Sequence, residues 1–273
     1  MKKGDAMTTF NTRPLTTLVG TLCDIIGARR PENAKGDVPE IKKTVEEKAG
    51  GKVDRMLLYN PDAVGQWIYE KYYDLFPAVR KYTDVSVDFL TAFPPKTPVC
   101  FATMYTGADP AVHGITHYEK PVLKVDTLFD ALPDSGKKVA MVAVANQSIP
   151  RIFAQRNIDY YLMKYDDEVI EKALELIRED RYDVIEVYNQ EYDDKMHRSS
   201  PTAKFAVNAL VHYNASFEKL MEAVEISWQS HDTFVAFSTD HGVHKPLFGL
   251  GAHGKNIPKD MNIRHFFGVI PKK

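Results

Sequence analysis

The chain has 273 residues, 44% hydrophobic and 26% charged, an ordinary globular balance long enough for one large core and with no signature of disorder. Its formal net charge is -2 with acidic and basic residues interleaved, which excludes a protein built around a nucleic-acid polymer. Two cysteines, Cys23 and Cys100, are too few for a disulfide framework or thiolate cluster. No segment approaches the ~18 apolar residues of a membrane span, and the polar start MKKGDAMTTFNTRP lacks the apolar core of a signal peptide, so a soluble cytoplasmic protein with reduced cysteines is expected.

In chain order, a helix is predicted over about Leu15–Ile26, followed by the polar, Pro- and Gly-bearing linker RRPENAKGDVPE (Arg29–Glu40). Residues 1–50 thus read as a helical extension and linker ahead of the first strand. Apolar runs rich in Val, Ile, Leu and aromatics predict strands at Val53–Tyr59, Ser86–Ala92, Lys138–Val144, Asp159–Met163, Asp183–Asn189, Thr233–Thr239 and His265–Ile270. After the first of these, the aromatic stripe of Val64–Phe76 falls at helical spacing and reads as core. The helix Asp166–Asp180 places Val169, Ala173, Leu176 and Ile177 on one face behind an acidic first turn. A longer helix runs from about Pro201 to Trp228, with Phe205, Leu210, Phe217, Leu220 and Val224 for burial. Alternating strands and helices predict a three-layer α/β/α fold with a mostly parallel central sheet, residues 1–273 forming a single catalytic domain.

Three predicted strands deliver an acidic residue just past their carboxyl ends: Asp62, Asp193 and Asp240. In open parallel sheets the ligand crevice lies beyond those ends, so all three carboxylates are expected at one sheet edge. Histidines accompany them. Asp193 is followed four residues later by His197, on one face of a helical turn, and Asp240 directly by His241. His253 sits in the glycine-rich loop Gly249–Asn256. A lone Asp at a strand end reads as a helix N-cap. Three together, beside histidines, read as a site for divalent cations, with oxygen and imidazole ligands suiting zinc or manganese. Thr97, flanked by prolines after a strand, places a hydroxyl beside the same edge, where a bound cation lowers its pKa.

The segment Phe93–Ile115 resembles the nucleophile motif of the alkaline phosphatase superfamily, in its nucleotide pyrophosphatase/phosphodiesterase-like branch. There a Pro-rich turn, a Thr and a helix precede T-G-x-x-P-x-x-H-G, met here by Pro94, Thr97, Pro98, Thr106, Gly107, Pro110, His113 and Gly114. Asp62, Asp193 with His197, Thr239-Asp240-His241-Gly242 and His253-Gly254 follow the order of that family's remaining motifs, over about Val53 to Val269. The resemblance implies an alkaline phosphatase-like core and two divalent ions, zinc or else manganese. One would be held by Asp193, His197 and His253, the other by Asp62, Asp240, His241 and the Thr97 oxygen. It further implies hydrolysis of a small phosphate ester through a phosphothreonine.

The sequence also departs from that pattern. Cys100 stands where the branch is expected to carry an Asn that helps bind the phosphoryl oxygen, and a thiol is a weak donor. Asn189 is a candidate substitute. No cap insertion is evident between Thr106 and Asp193. His113 is expected to order its turn, and His117, His244 and His265 read as polar lining. Cys100 lacks the C-x-P-x-R context of a sulfatase nucleophile. The alternatives are a phosphomutase or phosphonate hydrolase on the same fold, or a metal-binding module that has lost catalysis.

Overall fold

A computed structural model of the chain describes residues 9–247 and 249–273. The lysine-bearing first residues, read above as too polar for a signal peptide, lie outside the described residues up to position 8. Among the described residues seven strands form one sheet: β1 (Arg55–Pro61), β2 (Val85–Leu90), β3 (Val139–Val144), β4 (Asp159–Met163), β5 (Val184–Asn189), β6 (Thr233–Phe237) and β7 (Asn262–Ile270). Their order is β2-β7-β6-β1-β5-β3-β4. Strands β1, β3, β4, β5 and β6 pair in parallel, whereas β7 runs antiparallel to both β6 and β2. β2 therefore points the same way as β1, and its carboxyl end reaches the same edge.

The central strands are buried on both faces, which explains their unbroken apolar runs. Side chains alternate between two cores. Met56 and Leu58 of β1 with Val184 of β5 face one helical layer, built from Leu18–Ile26, Pro39–Ala49, Thr97–Thr106 and Leu128–Asp134. Leu57, Tyr59, Ile185 and Val187 face the other, formed chiefly by Asp166–Glu179 and Lys204–Ser227. The fold is the three-layer arrangement expected from the alternation. Among the described residues no helix is long and apolar enough to cross a membrane.

Some local expectations differ from the structure. The end of the predicted linker opens a helix, Pro39–Ala49, with Pro at its first turn and Gly50 closing it at φ 64°. Its apolar signal is weak because only Ile41 and Val45 are buried. The long helix begins at Lys204 because Ala203 is extended (φ -69°, ψ 143°). Phe205 is 50% exposed, contrary to its expected burial; Lys195 lies over its ring at 5.1 Å. In the aromatic stripe Tyr69 and Phe76 are buried, whereas Tyr73 is exposed.

Beneath the carboxyl edge lies a buried acid. Asn60 donates through Nδ2 to Tyr105 Oη at 2.7 Å and to Glu186 Oε1 at 2.8 Å. Glu186 Oε2 has no hydrogen-bond partner among the described residues. Burial pushes this carboxyl up to about 8. Between an unfolded value of about 4.5 and about 8, the folded chain keeps a proton that the unfolded chain has released, so stability declines as pH rises through that window. Glu186→Gln, a neutral isostere, should therefore raise the melting temperature more at pH 8 than at pH 4.5, as followed by circular dichroism. An equal effect at both values would show that Glu186 is ionised in the folded chain.

Candidate metal centre

Each element brings its functional side chain to the carboxyl edge of the sheet by a short path. Asp62 follows β1 directly, with its N–H donated to the Asn189 carbonyl of β5 at 2.9 Å. Asp240 lies three residues past β6, and its Oδ1 accepts the Ala63 N–H at 3.1 Å, binding the two loops together. Asp193 and His197 lie on the short helix Glu191–His197 beyond β5. Thr97 opens the helix Thr97–Thr106. Close approach is required next to His241. A Cβ at Gly242 would sit 2.0 Å from the Lys259 carbonyl oxygen, so only glycine fits there.

The seven residues singled out as ligands or nucleophile converge. Ligand atoms of Asp62, Asp240 and His241 all lie within 4.8 Å of one another, and so do those of Asp193, His241 and His253. Thr97 Oγ1 is 3.5 Å from Asp62 Oδ2 and 3.3 Å from His241 Nε2. His241 Nε2 is 3.2 Å from Asp240 Oδ2 and 3.6 Å from Asp62 Oδ1. Asp193 stands between His197 Nε2 at 3.4 Å and His253 Nε2 at 3.6 Å. The His241 and His253 rings stack at 3.9 Å with an interplanar angle of 17°. His241 thus belongs to both tight groups, and His197 completes the second from the open side.

The imidazoles are aimed in a common way. Nδ1 of His241 faces the Gly242 carbonyl at 3.0 Å, that of His253 the Pro95 carbonyl at 2.7 Å, and that of His197 the Gly251 carbonyl at 3.1 Å. A carbonyl only accepts, so each Nδ1 carries the hydrogen, and the neutral rings of His241 and His253 turn their Nε2 lone pairs toward the carboxylates, whereas the hydrogen bond to Asp193 raises the pKa of the more exposed His197. Burial pushes His241 down to about 3 and His253 well below its usual range. The His241 contacts to Asp62 and Asp240 are close enough for ion pairs, yet a neutral ring with its hydrogen on the far side makes them lone pair against lone pair.

The carboxyls respond in the opposite sense. Burial, then the charges of Asp240 and Asp193, raise Asp62 well above the carboxylate range; burial foremost raises Asp240 to about 7. Asp62 Oδ1, Asp193 Oδ1 and Asp240 Oδ2 are buried with no hydrogen-bond partner among the described residues. Oxygen and nitrogen lone pairs therefore surround a small space in which a positive charge would be favoured. The donor set fits divalent cations such as zinc or manganese, with no thiolate in it.

Two sequence candidates lie elsewhere. The Asn189 side chain donates to the Asp166 carbonyl at 3.3 Å and lines a separate cavity with His212 and Tyr213; on a strand it points to the face opposite Tyr188. The Cys100 thiol faces the Ala92 carbonyl at 3.8 Å, inside the core. Neither reaches the cleft, which measures about 320 Å³. His113 does order its turn, with Nε2 3.0 Å from Thr103 Oγ1 and Nδ1 accepting the Ile115 N–H at 3.2 Å. Of the other histidines, His117 is exposed, His265 meets the Thr239 carbonyl at 2.6 Å, and His244 pairs with Asp260.

Sequence reasoning missed Lys96 and Tyr188. Lys96 lines the cleft and donates to the His253 carbonyl at 3.1 Å; its place beside Thr97 was the available signal. Tyr188 donates to Asp62 Oδ2 and so fixes that carboxylate. Its alternation on β5 with Asn189 indicated which of the two would face the site.

No family model matches the chain, and no curated protein matches it in sequence. Solved structures do share its shape. Murine ectonucleotide pyrophosphatase/phosphodiesterase 5 matches with a TM-score of 0.56 at 17% identity over 70% of this chain and 58% of its own. The human form gives 0.57 at 14% over 70% and 57%. Phosphonoacetate hydrolase from Sinorhizobium meliloti, in complex with phosphonoformate, gives 0.52 at 17% over 70% and 57%. A threonine-to-alanine form of the murine protein is described as inactive and in complex with AMP. The chain has the alkaline phosphatase-like α/β/α fold of these proteins, in accord with the resemblance carried by its motifs. It spans less than two thirds of the length of each.

If Asp240 is a metal ligand, Asp240→Ala loaded with zinc should hold about one ion fewer per chain than the parent, since a charged ligand is removed. Plasma mass spectrometry of the desalted proteins reads this directly, and equal content would remove Asp240 from the ligand set.

Proposed function

We propose that this chain is a metal-dependent hydrolase of phosphoric esters, with Thr97 as nucleophile and two divalent cations, zinc or manganese, held among Asp62, Asp240, His241, Asp193, His197 and His253. One observation carries the reading: buried, unpartnered carboxylate oxygens and Nε2 lone pairs converge on one point beside a threonine hydroxyl. The described inactive threonine-to-alanine form of the murine neighbour supports a reacting threonine. The helices ahead of β1 share the core under the cleft, which supports residues 1–273 acting as one catalytic unit, with residues 1–50 an extension of it.

When bound, the cations lower the pKa of the attacking hydroxyl and offset charge that builds on the phosphoryl oxygens. The remaining work falls to the side chains. Tyr188 holds the Asp62 carboxylate through a hydrogen bond, and Asp62 in turn faces Thr97 Oγ1. Lys96 presents an ammonium to a cleft otherwise lined by acidic and neutral groups, where it binds a non-bridging phosphoryl oxygen. Thr97 opens a ten-residue helix, whose positive dipole end also favours an anion. Thr97 Oγ1 attacks phosphorus as the bond to the leaving oxygen breaks, giving a phosphothreonine and an alcohol. Water then cleaves the phosphothreonine and returns the hydroxyl.

Zinc-loaded parent chain should hydrolyse p-nitrophenyl phosphate or its bis-ester, and Thr97→Ala should abolish turnover while retaining most of its metal. Full activity in that variant would refute Thr97 as nucleophile. Lys96→Ala should raise KM by about tenfold, the loss of one charge-assisted hydrogen bond to substrate. A second reading, a phosphonate hydrolase, is favoured by the phosphonoacetate hydrolase neighbour. Release of phosphate from phosphonoacetate with neither ester cleaved would select it.

A further inference from the structure

His241 and His253 come from separate loops, yet their rings stack face to face at the point where the ligand groups meet. Something must fix one loop against the other. The two loops pair directly through reciprocal backbone bonds, His244 N–H to the Ala252 carbonyl at 2.7 Å and Ala252 N–H to the His244 carbonyl at 2.9 Å. Both loops also attach to one residue. Asp260, on the short turn of helix Pro258–Met261, is fully buried. Its carboxylate accepts His244 Nδ1–H at 2.8 and 2.9 Å, and the Lys255 N–H at 2.9 Å. Its own carbonyl accepts the Gly242 N–H at 2.8 Å.

Gly242 is the residue after His241, and Lys255 is two after His253. A single aspartate therefore grips both ligand loops within two residues of their imidazoles, and His244 joins it from the middle of the His241 loop. Neither Asp260 nor His244 lines the cleft, and neither belongs to the groups able to hold an ion. The Lys259 carbonyl, pressed against Gly242, leaves that loop no slack on the same side.

We propose that Asp260, acting with His244, is a positioning residue that sets the separation and stacking of His241 and His253 and thereby the affinity for metal. This rests on the metal reading above. Asparagine at 260 keeps the shape, but only one of the two oxygens that face His244 Nδ1–H remains an acceptor. With its oxygen in the place of Oδ2 it still accepts the Lys255 N–H while its NH2 sets donor against donor at His244; in the other orientation the NH2 faces the Lys255 N–H, so the grip is weakened either way.

The test is zinc affinity of the full chain, measured by competition with a chromophoric chelator well below each protein's melting temperature. Asp260→Asn is expected to bind zinc at least ~10-fold more weakly than the parent, with native circular dichroism and with turnover recovered by added zinc, as outer-shell changes commonly do. Asp88→Asn, which cuts the Arg264 ion pair on β2 and β7, should leave zinc affinity unchanged and so controls for general loss of stability. Should Asp260→Asn fail to fold, His244→Gln, which leaves Asp260 its backbone bonds, must show the same weakening. A folded variant that binds zinc as tightly as the parent, or weakening of equal size in Asp88→Asn, overturns the positioning role while the metal reading stands. A parent chain that takes up no zinc overturns both.

Discussion

Three carboxylates facing one another in a buried space are the constraint on which the rest of this structure turns. Unscreened charges of one sign repel strongly at a few ångströms in a medium less polar than water, and an unpaired buried charge is among the least favourable groups a fold can carry. Here Asp62, Asp193 and Asp240 each leave an oxygen without a partner among the described residues. The buried imidazoles of His241 and His253 do not relieve the repulsion, since they too present lone pairs. Burial and mutual repulsion push the carboxyls of Asp62 and Asp240 up, away from the charged form. A divalent cation is the better answer to the same imbalance.

Much of the surrounding architecture makes that arrangement rigid. The sheet contributes direction: strands β1, β5 and β6 lie side by side and run parallel, so the loops at their carboxyl ends are neighbours whatever their separation in sequence. The backbone contributes orientation, through carbonyls that hold the Nδ1 hydrogens of His197, His241 and His253. Tight contacts contribute permanence. Thr239 Oγ1 accepts the Val64 N–H at 2.9 Å, and Thr91 Oγ1 donates to the Asp240 carbonyl at 2.5 Å, so the loops beside β6, β1 and β2 move together.

What could be read from the sequence follows from which forces are local. Strands buried on both faces announce themselves as apolar runs, and their carboxyl ends place Asp62 and Asp240 without further information. The Asp193 and His197 pair is legible because four residues make one helical turn. The helix Pro39–Ala49 escaped because its neighbours bury only two of its apolar side chains, and Phe205 misled because hydrophobic character does not fix which side of a helix faces inward. Asn189 was misplaced for a simpler reason. On a strand, a shift of one position reverses the face, and Tyr188 took the place looking toward Asp62. Lys96, His244 and Asp260 owe their places to loop contacts that no periodicity encodes.

His241 stands in both ligand groups, yet a neutral imidazole with its hydrogen on Nδ1 has one lone pair to give. Under the proposed two-ion reading that lone pair serves one ion: given to the inner one it leaves the outer to Asp193, His197 and His253, and given to the outer one it leaves the inner to Asp62 and Asp240. The shared ring thus ties the enclosed Asp62 and Asp240 side of the centre to the more open Asp193 and His197 side, so a change in its orientation would be felt on both.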